Sequence, residues 1–206
     1  METMPLRNNT FDQGELYHIL NRGANKATIF SNSGNYDYLI RLVEKYSERF
    51  GIGVVCYCLM PNHYHFLLQQ TTDQSLSAFI NTVFNAYVQA YNRQRHRTGT
   101  LFEGRFRHVH VDRQEYLLTL ISYIHLNPVA AFLTSEPEAW EFSDCRDWIK
   151  KSDCADSRIV KYRTQFGLPS PEEYRKILAD AQYARIEDKK FDKYLLDREN
   201  LTSRRF

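Results

Sequence analysis

The stretch VVCYCLMPNHYHFLLQ, 54–69, constrains the fold of this chain more than any other. Residues 54–60 form a continuous apolar run, the pattern of a buried strand. Pro61 and Asn62 break it, because proline has no amide proton for a strand ladder and Pro–Asn favours a turn. Residues 63–69 then read as a second strand. Two apolar runs separated by so short a break predict a hairpin.

The rest of the chain supplies elements around that hairpin. LYHILNR, 16–22, alternates as a first strand, and Gly23 ends it. In 36–50, Leu39, Ile40, Leu42, Val43 and Tyr46 recur at helical spacing, with Gly51 as a stop. The longest helical signal is 74–94, where Leu76, Phe79, Ile80, Val83, Phe84, Tyr87, Val88 and Tyr91 make one broad apolar face. RHRTGTLFEG, 95–104, reads as a basic loop, and RFRHVHV, 105–111, as a strand. Asp112, with Glu115 three residues on, has the form of a capping box for a helix over 113–126 that stops before Pro128. The order βαββαβ is the ferredoxin-like pattern of the α+β class: an antiparallel sheet with helices on one face. The helix 113–126 is additional to that unit. Residues 1–136 are expected to form the main domain. Residues 137–206 are expected to be a partly helical C-terminal appendage outside the main core. It holds a short helix over 170–184 and a charge-dominated end in which Phe191, Tyr194, Leu195 and Leu196 are the apolar exceptions.

A chain of 206 residues that is 43% hydrophobic can build a core. No apolar run reaches the ~18 residues of a membrane span, and no secretory leader is visible at the start, so the expected location is cytoplasmic. Cys56 and Cys58 alternate along one strand face. Their side chains run side by side instead of meeting, so buried thiols are expected; Cys145 and Cys154 complete no zinc-type spacing with them. The net charge of +2 conceals an uneven distribution. Arg93, Arg95, Arg97, Arg105, Arg107 and Arg113 fall in one short window against only Glu103 and Asp112. A basic strip in a balanced chain predicts a local polyanion contact.

Two pairs of histidines share a spacing that suits a cation. His63 and His65 stand at i and i+2 of a strand, so both imidazoles project to one side, ~6.6 Å apart at the backbone. His108 and His110 are spaced alike but sit beside Arg105 and Arg107, where a cation would be repelled. On the helix 113–126, Leu117, Leu120, Ile121 and Ile124 form the core stripe, and Tyr116, Tyr123 and Asn127 form a second stripe beside it. Spacing by itself favours packing tyrosines and ordinary strand histidines over a functional site.

Three ordered segments also resemble a known family. CYCLMPNHYHFLLQ, 56–69, is similar to the region of the His-hydrophobic-His motif of the HUH single-tyrosine transposases, above all the REP-associated tyrosine transposases. GTLFEGRFRHVHV, 99–111, resembles their second signature, and SYIHLNPVAA, 122–131, their tyrosine helix. The resemblance implies that His63 and His65 bind a divalent cation, Mg²⁺ or Mn²⁺, that Tyr123 is the nucleophile, and that Asn127 is a third ligand. It implies a substrate of single-stranded DNA with hairpin or repeat elements, cut and rejoined through a 5′-phosphotyrosine. Arg93, Arg95, Arg97, Arg105 and Arg107 would then hold phosphates, while Phe102 and Phe106 stack on bases. The family includes both dimers and chains that act alone, so homodimer and monomer stay open. Tyr64 departs from the pattern, since the middle position of the histidine triplet is usually aliphatic. Two rival readings remain: a non-catalytic module that binds single-stranded nucleic acid on a ferredoxin-like sheet, and a metal-dependent hydrolase in which Tyr123 is only structural.

Overall fold

The computed structural model describes residues 11–150 and 158–184. Four antiparallel strands lie in the order β2-β3-β1-β4: β1 Leu16–Arg22, β2 Ile52–Met60, β3 His63–Gln70 and β4 Arg107–His110. The hairpin written into residues 54–69 is β2–β3, with Met60 paired to His63 across the Pro61–Asn62 turn. Helices α1, Ser33–Phe50, and α2, Leu76–Gln94, complete the expected ferredoxin-like unit.

Local chemistry explains the helix ends. The Asn32 side chain accepts the Asn35 amide at the start of α1, and Ser75 accepts the Ala78 amide at the start of α2. Gly51 ends α1 at φ 58, a left-handed conformation that glycine adopts without steric penalty.

Strand alternation divides the interior in two. Tyr17, Ile19, Tyr64, Phe66 and Leu68 face α1 and α2 in a first core with Leu39, Phe79, Ile80, Val83 and Tyr87. Leu16, Cys56, Cys58, Met60 and Leu67 face the other way and pack under α3, Gln114–Ala130, through Leu117, Leu120, Ile121 and Ile124. Cys56, Cys58 and Cys145 are buried free thiols, as expected for the first two, while Cys154 lies outside the described residues.

Three expectations need correction. The first concerns the C-terminal region, which does not stay outside the core. Helices α4, Cys145–Ile149, α5, Arg158–Phe166, and α6, Pro171–Ala184, bury Cys145, Trp148, Tyr162, Tyr174 and Leu178 in the second cluster. The apolar surface of α3 that faces away from the sheet would otherwise meet water. Residues 140–144 also cover the outer edge of β2. Leu59 donates its amide to the Phe142 carbonyl, Trp140 Nε1 donates to the Leu59 carbonyl, and Tyr36 stacks on Phe142 at 3.7 Å. The expected exceptions Phe191, Tyr194, Leu195 and Leu196 lie outside the described residues.

The second correction is the start of α3. Asp112 is not its cap: the Val111 amide still bonds to Leu16 in the sheet, so the helix begins later, with Arg113 at the cap position. Arg113 lies over the Tyr116 ring instead. The third is its end. Pro128 lies within the helix, which continues to Ala130. Proline cannot donate to the Ile124 carbonyl, but the Asn127 carboxamide reaches that oxygen at 3.5 Å and the Tyr123 carbonyl at 2.9 Å. The preceding side chain thus supplies the donor that proline lacks.

Candidate active site

β3 leads from the Pro61–Asn62 turn with His63 first, so its polar end meets solvent while its middle is buried. His63 is half-buried and His65 fully buried, on the face that α3 covers. Their rings lie 5.1 Å apart between centroids and are nearly perpendicular. Tyr123 comes down from α3 with its ring centroid 5.7 Å from that of His65. The structure therefore brings His63, His65 and Tyr123 together, and Tyr123 stays partly exposed. Tyr64, between the histidines, points to the opposite face and stacks on Phe84 at 4.2 Å, so its bulk does not intrude on the pair.

Each imidazole has a protein partner on Nδ1. His63 Nδ1 lies 2.7 Å from Asn62 Oδ1, and donates to it, since that oxygen can only accept. His65 Nδ1 lies 3.0 Å from Nε2 of His18, whose ring is also fully buried. If His65 donates its Nδ1 proton to His18, the lone pair of His65 sits on Nε2, as it does in His63. Two imidazoles with Nε2 lone pairs, each oriented through Nδ1, are a donor set suited to a divalent cation. Among the described residues, no group of three or more His, Cys, Asp or Glu is arranged to hold a metal ion by itself. A cation here would complete its shell with oxygen from water, substrate or an amide.

His18 was not singled out in the sequence. The alternation of LYHILNR puts it on one face with Leu16 and Leu20, a histidine in an apolar stripe. Only the pairing of β1 with β3 sets it diagonally across from His65, since His18 stands opposite Leu67 and Leu20 opposite His65.

Asn127 is buried one turn beyond Tyr123, with its amide nitrogen turned back to the helix. Its carboxamide oxygen is the atom that a cation could take. The rival pair lies on the other face of the sheet. His108 stands opposite Ile19 and touches the Phe11 ring, and His110 Nε2 lies 2.7 Å from a Glu15 carboxylate oxygen.

The basic strip divides into two groups. Arg93 and Arg95, exposed, and Arg97 follow one another at the end of α2 and in the loop beyond, with Arg97 donating to the Thr100 carbonyl. Arg105, Phe102 and Phe106 line a groove of about 450 Å³ with Asn21, Asn81 and Asn85 on the α2 face of the sheet. Arg107 is half-buried on β4. The groove and the histidine pair are on opposite faces but at the same end of the sheet, because Asn21 stands opposite Tyr64 and Arg22 opposite His63.

Behind the tyrosine, α3 is fixed by a buried polar network. His125 Nε2 lies 3.0 Å from Asp144 Oδ1, and His125 Nδ1 lies 2.6 Å from the Tyr174 hydroxyl. The Asp144 carboxylate also accepts the Tyr57 amide at 2.8 Å and Trp148 Nε1 at 3.3 Å. Burial pushes Tyr174 well above the ordinary phenol range, so it stays protonated and donates to His125. His125 in turn carries its proton on Nε2 and donates to Asp144. Three elements distant in sequence thereby hold the segment that carries Tyr123.

The sequence matches the family described as Transposase IS200 like over residues 13–127. No curated protein matches it at a significant level. Among solved structures, a REP-associated tyrosine transposase bound to a REP hairpin superposes with a TM-score of 0.60 at 14% identity, over 71% of this chain and 86% of that one. A structure assigned as a transposase from Deinococcus radiodurans R1 gives 0.40 at 16% identity, over 55% and 89%.

Proposed function

We propose, on the premise that this chain belongs to the IS200-like transposase family, that it cuts and rejoins single-stranded DNA with Tyr123 as nucleophile. The observation that carries the reading is the convergence of His63, His65 and Tyr123 from two elements, β3 and α3, that only the fold brings together. His63 and His65 would hold a divalent cation, Mg²⁺ or Mn²⁺, through Nε2, with Asn127 Oδ1 as a third protein donor. When bound, the cation polarises the scissile phosphate and offsets its negative charge.

A phenol titrates near ~10, so Tyr123 is a weak nucleophile until its proton leaves. Its oxygen forms a bond to phosphorus as the bond to the 3′ oxygen breaks. The phenol loses a proton and the departing 3′ oxygen gains one. The products are a 5′-phosphotyrosine and a free 3′-OH, and the reverse step joins a new 3′-OH to the stored phosphate. His18 holds His65 in the ligating tautomer, and the network of His125, Asp144 and Tyr174 holds α3 against the sheet. Arg105, Arg107, Phe102 and Phe106 would receive DNA beside the site, with Arg93, Arg95 and Arg97 holding phosphates further along.

Incubation with hairpin-bearing single-stranded DNA and Mn²⁺ should give a covalent DNA–protein adduct on a denaturing gel, and Tyr123→Phe should give none. Cleavage that persists in Tyr123→Phe without an adduct would instead assign hydrolysis. Binding without cleavage in either metal would assign a binding module, which the aromatic groove on the other face could serve.

A further inference from the structure

The end of α3 holds a residue that neither the fold nor the helix cap accounts for. Leu133 donates its amide to the Pro128 carbonyl and Phe132 donates to Val129, after Ala131 as C-cap. That pair of bonds is a Schellman motif, and its left-handed position belongs in general to glycine. Here it is Phe132, at φ 56. Of the other described non-glycine residues at positive φ, two are Asn25 and His96, types that tolerate this region, and the third is Lys26. Phe132 is also 95% exposed, so its ring gains nothing from the core. The chain carries both a strained backbone position and a fully hydrated aromatic ring where glycine would avoid each.

The sheet register places this ring. α3 starts where Val111 bonds to Leu16, at one end of β1, and passes Tyr123 over His65. It therefore runs toward the end of β1 where Arg22 stands opposite His63. From Tyr123 to Ala130 the helix advances about 10 Å at ~1.5 Å per residue. That is about three stacked nucleotides at ~3.4 Å each. Phe132 thus stands beyond the histidine end of the sheet, just past the end of the helix that carries Tyr123.

We infer that Phe132 is a base-stacking residue, receiving an unpaired base of single-stranded DNA that flanks the bond cut at Tyr123. The inference rests on the function proposed above. A lone ring with Leu133, 42% exposed, beside it is far smaller than the ~800 Å² per partner of a stable protein interface. It is the size of one base. An aromatic face stacks on any base, so such a contact holds the strand beside the site without reading its sequence.

The cap geometry makes opposite predictions for stability and binding in one variant. Phe132→Gly relieves the left-handed strain, so its melting temperature should equal or exceed that of the parent. It removes the ring, so binding to a hairpin oligonucleotide with single-stranded arms should weaken about 5- to 150-fold, the loss expected for one base stack. Phe132→Trp should bind as the parent does, and Phe132→Leu should lose as much as the glycine variant. With 2-aminopurine stepped along the arms, the parent should quench it at one position and Phe132→Gly should not. Parent-like binding by the glycine or leucine variant would overturn the inference while leaving the proposed function in place. So would a lower melting temperature in Phe132→Gly, or a dimer in the parent that this change dissociates. If the parent itself neither binds nor cuts the oligonucleotide, the proposed function fails first and takes the inference with it.

Discussion

Tyr174→Phe isolates the link between the C-terminal region and the tyrosine helix. The substitution deletes one hydroxyl and keeps the ring, so the packing around Trp148 and His125 is preserved. Tyr174 and His125 are both fully buried, and their hydrogen bond is short at 2.6 Å. Without the phenolic donor, His125 Nδ1 loses its hydrogen-bond partner at a fully buried position. Leaving a buried acceptor unsatisfied costs ~1–3 kcal/mol, more than the net value of an ordinary hydrogen bond. The expected loss is about 2 kcal/mol, or a fall of roughly 4–8 °C in Tm for a chain of this size. Urea unfolding followed by circular dichroism measures it directly, and the slope m should not change, because the surface buried stays the same. Combined with His125→Leu, the second substitution should cost much less than it does alone, since the shared bond is already gone. A loss below ~0.5 kcal/mol, the range of surface substitutions, would refute the assignment of this pair as a structural link.

Two further predictions concern the candidate active site and its DNA contacts. His18→Leu should lower the affinity for Mn²⁺ about 10- to 100-fold by titration calorimetry, because partners behind a ligating imidazole tune it to that extent; equal affinity would remove His18 from ligand support. For single-stranded DNA, Arg105→Ala and Arg107→Ala should each flatten the plot of log affinity against log salt by ~0.7, measured by fluorescence anisotropy, whereas an unchanged slope would mark a side chain that holds no phosphate.

Much of this protein is legible along the chain. The apolar runs of 54–60 and 63–69 with Pro61–Asn62 between them determine the central hairpin, because a turn that short joins adjacent antiparallel strands. Periodicity determines α1 and α2, and Asn32, Ser75 and Gly51 set their ends, since capping is a local exchange of hydrogen bonds. Strand alternation also fixes that His63 and His65 share a face. It does not say which face, and His108 with His110 obey the same rule. Tertiary structure decided that: α3 packs on the side of Leu67 and His65, and brings Tyr123 there, while His108 and His110 lie on the other. The end of α3 escaped a local reading because the donor that Pro128 lacks comes from the Asn127 side chain. The start escaped it because Val111 is still bonded to Leu16 in the sheet and the helix begins only at Gln114, with Arg113 at the cap position. His18 beside His65, and Asp144 and Tyr174 on either side of His125, come together across separations of 47, 19 and 49 residues. No sequence period spans such distances. Burial, which makes an unpaired polar group costly, selects those partners once the sheet and its covering helices have closed.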